Sequence, residues 1–386
     1  MASFPFQRRG VLLDTGQIVC DALGFRKCRV RLGHDSDPLS PDVSAVRCSV
    51  LLISLVLTAC LPDRWIRIQA QEPPTEFSVM SWNLEWFFDE YQGDNHSALA
   101  KEKSSPSRDD WNGRRDAVAS AIASRSPTVV AVQEVESRRV LWYLTRAIAR
   151  HHRQAYREFA MESEDHYTEQ DVGFLVRDPA DLLSISHQKQ TRAMRRSQTF
   201  FDLSKHLFGV FSVPAGDRQE RVTILNVHMR SRPEAASIRQ RQARLAHHWI
   251  ADAIAAGGNV IVLGDFNTEE TGDEPRPGTD LGILCGMETD AIDDDLVDLT
   301  RQLPAAERST HLLGKHFDRI LVSQSLLDDD PAAPDLVFES VSVLPALAIR
   351  AERDDPLRHW EHFWEIPDEE RDLSDHYPVL ASFRIR

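Results

Sequence analysis

Short aliphatic runs that stop on a polar residue set the rhythm of this chain. The clearest is NVIVLGDFNTEE at residues 259–270, where Val260, Ile261, Val262 and Leu263 run unbroken to Gly264. A run of this kind predicts a buried strand reaching its end. Asp265 and Asn267 follow at i and i+2, so continued extension points both side chains to one face where the strand leaves the core. A carboxylate and a carboxamide aimed together there suit positioning a water and holding a charged oxygen. The same spacing also suits an Asp-x-Asn turn after a strand.

The pattern recurs along the chain. FSVMSWN at residues 77–83 alternates roughly and predicts a strand ending in WNLEW, with Asn83 as a cap, a turn residue or a site residue. TVVAVQE at residues 128–134 predicts a second buried strand ending on Glu134. Carboxylates are rarely buried without a partner, so this position suggests a cation, and a surface glutamate is the plainer reading. Strands are also expected at 171–176, at 200–213 and 221–229 as an antiparallel pair, at 316–322 with Asp318 near its start, and at 377–384. His228, near the end of the 221–229 strand, has a structural reading beside a catalytic one. Helical spacing appears at residues 111–125, where Val118, Ala119 and Ile122 precede Pro127. It appears again at 137–152, with Val140, Leu141, Leu144 and Ile148 on one face, and residues 234–256, rich in Ala and Arg, read as a long helix that Gly257-Gly258 stops. Residues 271–295 read as loop, and 350–372 as a polar, Trp-containing insert or loop. No fixed-period repeat or low-complexity segment appears.

Composition narrows the partners. The 386 residues are 42% hydrophobic and 27% charged, as in a soluble globular protein, with a net charge of −15. Residues 1–70 hold 9 Lys+Arg and 6 Asp+Glu, leaving 36 basic and 54 acidic residues, or −18, for the rest. So acidic a body is a poor non-specific binder of polyanions, because phosphate contacts supply most of that affinity. A phosphate-bearing substrate would need a bound cation or a local Arg cluster to draw it in. Arg192, Arg195 and Arg196 form one basic knot, with Arg230 a further candidate beyond His228. The knot also reads as a solvated face.

Four of five cysteines, Cys20, Cys28, Cys48 and Cys60, lie in the first 60 residues, and Cys285 stands alone beyond them. The main domain therefore has no internal disulfide available, and no spacing suggests structural zinc. CSVLLISLVLTAC, residues 48–60, has the length of a signal-peptide apolar region, with a short buried helix as the other reading. Its end, LTAC, resembles a bacterial lipobox with Cys60 as the lipidated residue. A translation start near Val43 or Val46 would suit such a signal. Residues 1–60 are thus expected to be an extension and signal segment, and 61–76 a polar tether. The location expected is extracytoplasmic, secreted or held to a membrane by an N-terminal lipid anchor.

Taken in order, WN, QE, NVH, GDFN, FDRI and SDHYPV resemble the motif series of the endonuclease/exonuclease/phosphatase superfamily. That group includes pancreatic-type deoxyribonucleases, abasic-site endonucleases, neutral sphingomyelinases and inositol-polyphosphate phosphatases. The resemblance covers Phe77 to the C-terminus, and GDFN and SDHYPV together with QE are its specific part. It implies an α+β fold, a four-layer αββα sandwich of two packed mixed β-sheets, as a single catalytic domain over 77–386. It implies Glu134 as principal Mg²⁺ ligand, with Mn²⁺ or Ca²⁺ as alternatives, and Asn83 and Asp375 on the metal side. Asp265 would orient or deprotonate the attacking water, and Asn267 would hydrogen-bond the phosphorane. His376 would contact the scissile phosphate, held by Asp318. His228 matches the second histidine of the deoxyribonuclease and sphingomyelinase branches, and Asp171 is a candidate partner for it.

These residue types suit the chemistry. Attack on a phosphate ester builds negative charge that a hard cation and preoriented donors stabilise. Histidine donates to phosphate near neutral pH, particularly beside a carboxylate. The expectation is a metal-dependent phosphoester hydrolase, first a nuclease acting on nucleic acid, second a sphingomyelinase-like lipid phosphodiesterase or phosphatase, and a monomer. The inositol-phosphatase branch is disfavoured, since its pattern has Cys where this chain has Phe317. From another class stands an inactive, surface-anchored binding protein, although no family residue is missing.

Overall fold

The computed structural model of the protein describes residues 75–269, 275–329 and 335–385, with backbone only for Arg195 and Arg196. The expected leader, residues 61–74 of the expected tether, and Cys20, Cys28, Cys48 and Cys60 lie outside these residues, while Glu76, the tether's expected last residue, already opens a strand. No helix among the described residues is long and apolar enough to cross a membrane.

The strands are β1 (Glu76–Phe87), β2 (Val129–Val135), β3 (Arg157–Ala160), β4 (Asp171–Val176), β5 (Asp181–Ser186) and β6 (His206–Ala215). They continue as β7 (Arg218–His228), β8 (Asn259–Asp265), β9 (Leu296–Asp298), β10 (Asp318–Ser323), β11 (Leu336–Val343) and β12 (Val379–Ile385). The helices are α1 (Ala98–Lys103), α2 (Arg108–Arg125), α3 (Arg138–His152), α4 (Arg192–Arg196), α5 (Ala236–Ala255), α6 (Asp280–Leu284), α7 (Pro345–Ala348) and α8 (Pro356–His362). Two six-stranded mixed sheets result, ordered β11-β12-β1-β2-β4-β3 and β5-β6-β7-β8-β10-β9.

Alternation along the strands builds three apolar layers. Val79, Ala131, Phe174, Ile224, Leu263 and Ile320 lie in the core between the sheets. Met80, Trp82, Val130 and Val132 face the other way and pack with Ile122 of α2 and Leu141 and Leu144 of α3. Leu225, Val227, Val260 and Val262 pack on Ala243, Ala246 and Ile250 of α5. The expected αββα sandwich is therefore what the chain forms. Each fully buried side chain of this size contributes about 1.5–3 kcal/mol, so a one-residue slip, which exchanges the faces of a strand, is heavily disfavoured.

Several local expectations are corrected. Residues 200–205 are not strand, because Arg241 of α5 takes the Ser197 and Phe200 carbonyls, and Leu203 carbonyl meets His206 Nδ1. The 271–295 stretch contains α6, whose Asp280 is buried against Arg239 at 2.6 Å. The 350–372 insert contains α8, capped by the Asp355 side chain and started by Pro356.

Candidate active site

The inward register of five strands continues past the apolar core into polar tips. Val79 and Ser81 lead to Asn83, Val129 and Ala131 to Gln133, and Ile224 and Asn226 to His228, while Leu263 leads to Asp265 and Ile320 to Asp318. Pairing aligns these tips. Asp265 stands opposite His228 on β7 and opposite Asp318 on β10. Between β1 and β2 the register shifts after the Asn83–Gln133 pair, and Glu134 adopts φ 58, which carries its carboxylate into the same space. Gly264 has φ +135, and a Cβ there would lie 2.0 Å from the Val227 carbonyl oxygen. Glycine is what lets β7 and β8 close up beside Asp265.

The last two motifs arrive by a separate route. Ser374 Oγ donates to the Asn83 carbonyl (2.8 Å) and accepts from His376 N–H (3.0 Å), while Trp82 Nε1 donates to the His376 carbonyl (3.1 Å). The entry loop to β12 is thereby fastened to the end of β1.

Asp265 is the hub. Its Oδ2 accepts from Asn83 Nδ2 and Asn267 Nδ2, both at 3.0 Å, and its Oδ1 accepts from Asn267 N–H at 2.9 Å. His228 Nε2 lies 3.5 Å and His376 Nε2 3.7 Å from Oδ2. Burial raises the Asp265 carboxyl above the usual carboxylate range, against the charge of His376. Burial alone would lower His376, but the carboxylates of Asp318, Asp265 and Asp375 hold it well above the ordinary value. Asp318 Oδ2 accepts from His376 Nδ1 at 2.7 Å, so the expected pair is formed. His228 is driven well below its ordinary value by burial, with Lys205 and His376 adding repulsion.

Glu134 accepts from Asn83 Nδ2 (3.1 Å), Trp86 N–H (3.1 Å) and Gln170 Nε2 (2.6 Å), and burial pushes its pKa up to about 7. Glu134, His228 and Asp265 each offer a ligand atom, and the three atoms lie within 4.8 Å of one another. Two carboxylates, both destabilised as anions by burial, suit a hard divalent ion, so the residues present fit the implied group.

Asn83, Glu134, His228, Asp265, Asn267, Asp318, Asp375 and His376 thus converge, as their motifs implied. Their roles differ in detail. Asn83 clamps Glu134 to Asp265 with its amide nitrogen, while its oxygen accepts Glu85 N–H (2.9 Å). Asp375 groups with His311 and His376, and its carboxylate accepts from Trp360 Nε1 at 2.9 Å. Asn267 Nδ2 also donates to the Met229 carbonyl, so donation to a phosphorane oxygen requires one of its two bonds to break. Asp171 is not the partner of His228. Its Oδ1 accepts Ser163 N–H at 2.7 Å, and His228 Nδ1 has no hydrogen-bond partner. Arg192 is exposed on α4 and bonds to none of these residues. Arg230 is exposed too, but its charge acts on His228.

Sequence reading missed Gln170, Lys205, His311 and Trp360. Lys205 Nζ donates to Gln170 Oε1 at 2.9 Å and lies 3.4 Å from Asp165. Its rarity, as one of 6 lysines, was the only signal. His311 resembles a metal ligand only superficially. Its Nδ1 accepts Leu313 N–H (3.0 Å), so its proton is on Nε2, facing Asp375 at 3.5 Å as a donor.

A family model described as "Endonuclease/Exonuclease/phosphatase family" matches residues 80–376. Among solved structures, TDP2 of D. rerio, humanised by 14 mutations, is 17% identical and superposes with a TM-score of 0.50, covering 80% of this chain and 99% of that one. The human Nocturnin catalytic domain with bound sulfate is 14% identical, TM-score 0.50, covering 82% and 95%. At these identities the likeness concerns the fold alone. No curated protein matches the chain.

Proposed function

The chain belongs to the endonuclease/exonuclease/phosphatase family, and from that premise we propose that it is a divalent-metal-dependent phosphodiesterase that cleaves nucleic acid, with Mg²⁺ as its ion. The observation that carries this reading is the sharing of Asp265 Oδ2 by two carboxamides, with two imidazole nitrogens within 3.7 Å. A raised, buried carboxylate held on several sides is placed to take a proton from one water and to hold that water in line. His376 presents Nε2–H toward the same point, where it can donate to a non-bridging phosphate oxygen. Asp318 keeps the imidazolium charged and oriented. Glu134, with His228 beside it, would hold the ion, which when bound supplies Lewis-acid stabilisation of phosphate charge, and Asp265 is kept for the water.

QEVES and SDHYPV look closer to the deoxyribonuclease and sphingomyelinase branches and do not divide the two, so the preference for nucleic acid over lipid rests on the surface. Exposed Leu183, Ile292, Leu313 and Leu357 stand on separate segments rather than on one membrane-docking hairpin. We also propose an extracytoplasmic location with a lipid anchor at Cys60, supported by CSVLLISLVLTAC. Mass spectrometry of the mature N-terminus tests it, and an unmodified chain beginning upstream of Cys60 overturns it.

The test of function is a panel of plasmid DNA, RNA, sphingomyelin and phosphoinositides, each assayed with Mg²⁺ and with EDTA. DNA or RNA should be cleaved only with the metal. Asp265→Asn should lower kcat by about 10²–10⁴-fold with melting temperature retained. Undiminished hydrolysis by that variant overturns the mechanism.

A further inference from the structure

Beside the catalytic residues a cavity of about 260 Å³ opens between the end of β1, α1 and the α8 insert. It is joined to the centre through three residues. Glu85 lines it while donating its N–H to Asn83 and accepting Asp375 N–H, Trp86 lines it while its N–H holds Glu134, and Trp360 lines it while its Nε1 holds Asp375. Its volume falls below the ~300–1,000 Å³ of pockets for drug-sized ligands, which suits a single ring system.

Every residue lining the cavity is aromatic, charged or histidine, and none is aliphatic. An acyl chain would find no matching wall. Charge does not single out a quaternary ammonium here, because the carboxylates of Glu85, Glu102, Glu361 and Glu365 are mixed with three cations, Lys103, Arg114 and His359. His359 belongs among them on geometry, since its Nδ1 and Nε2 face the carboxylates of Asp354 and Glu85 at 2.8 and 2.7 Å, so both nitrogens carry protons. The guanidiniums of Arg114 and Arg371 already lie over Phe363 and Trp364, at 4.7 and 4.6 Å from the ring centroids. Among the described residues no cation lies over Trp86 or Trp360; Trp86 meets the Phe88 ring edge-on at 5.5 Å, the His311 ring lies 6.3 Å from Trp360, and Trp360 is 39% exposed. What fits flat aromatic walls with a charged, hydrogen-bonding rim is a planar heteroaromatic ring with polar edges.

We propose that this cavity is a base subsite, in which Trp86 and Trp360 stack the nucleobase adjoining the scissile phosphate. The assignment rests on the phosphodiesterase reading and narrows its substrate. It makes Trp360 a specificity-determining residue, because one indole both stacks the base and holds Asp375.

The experiment compares kcat/KM for thymidine 5′-(p-nitrophenyl) phosphate with that for methyl p-nitrophenyl phosphate, which carries no base. Stacking on an aromatic side chain is worth about 1–3 kcal/mol, so the nucleoside ester should be favoured by about 5- to 150-fold. Trp86→Leu and Trp360→Leu should each collapse that ratio toward one. Trp360→Phe, which keeps a ring and loses Nε1–H, should retain most of the ratio while lowering kcat on both esters. In parallel, thymidine 5′-monophosphate should quench tryptophan fluorescence at concentrations where deoxyribose 5-phosphate does not. Equal turnover of the two esters by the unaltered protein overturns the subsite and leaves the hydrolase standing. Turnover of neither ester, or preference for sphingomyelin, overturns the reading beneath it. Equal quenching by the two phosphates overturns the subsite whatever the turnover.

Discussion

His359 is wholly buried, yet it lies between two carboxylates. Burial by itself would lower its pKa, but the charge of Glu85 and the bonds to Glu85 and Asp354 raise it to about 9. A histidine raised on folding contributes its full stabilisation below its unfolded value of about 6.5, and the contribution is lost as pH rises through the folded value. Unfolding free energy from urea titrations should therefore decline between about pH 6.5 and 9, by on the order of 3 kcal/mol. His359→Gln should flatten that decline, and an unchanged slope in the variant would sink the assignment. Asp318 presents the matching case inside the site, since its Oδ2 is the only hydrogen-bond partner shown for His376 Nδ1. Asp318→Asn should lower kcat on the order of 10²-fold with KM little changed, because an amide holds the ring but not its charge. Steady-state kinetics read the split, and a KM-only effect would point to substrate binding instead.

At the scale of strands and helices, the approach of β7 to β8 is where sequence and geometry meet most tightly. A Cβ on Gly264 would strike the Val227 carbonyl oxygen, and φ +135 is closed to other residues without strain. Gly264→Ala should cost at least about 2 kcal/mol and move Asp265 off the His228 and Asp318 row, measured as a lower urea midpoint and lost activity. Near-normal stability and turnover together would refute that account. The strands that carry the site were legible because each is a central strand whose buried run stops on a conspicuous polar residue or, in β10, starts from one. Those missed, β3, β5, β9 and β11, are the four edges of the two sheets. Edge strands are short and half-solvated, and DLLSIS of β5 exposes four of its six residues, so alternation is weak where one face meets water. Helices α2 and α3 were readable from their apolar stripes, and α5 from its Ala- and Arg-rich run ending at Gly257-Gly258. The short helices α1, α4, α6 and α7 span too few residues to imprint a stripe, and α6 is buried on every side. Lys205, Gln170 and Trp360 escaped notice for another reason. They join the site from a loop, a strand edge and an insert, and nothing local to them carries a periodic mark.

Considered whole, a molecule with the proposed function must admit a polyanion into a domain carrying −18 from residue 71 onward. Near the catalytic centre the cations that act on His228 from outside the imidazole pair are Lys205 and Arg230, and Lys205 is already shared with Gln170 and Asp165. On the proposed reading, so acidic a domain does not hold nucleic acid by a long basic track. Attraction would then be confined to the scissile phosphate and its nearest neighbour, with the ion and the base subsite supplying the rest. That has a measurable consequence in salt. Each neutralised phosphate contributes a slope of about −0.9 to log affinity against log salt on duplex DNA. With one or two such contacts, log KM at constant free Mg²⁺ should rise with log NaCl by no more than about 2, where proteins making 6–10 phosphate contacts change far more steeply. Long-range repulsion from the acidic body, screened beyond about 10 Å at 0.1 M, should flatten the low-salt end further. A slope of about 5 or more would mean that a basic path exists elsewhere on the surface, with the Arg192 helix the first place to mutate.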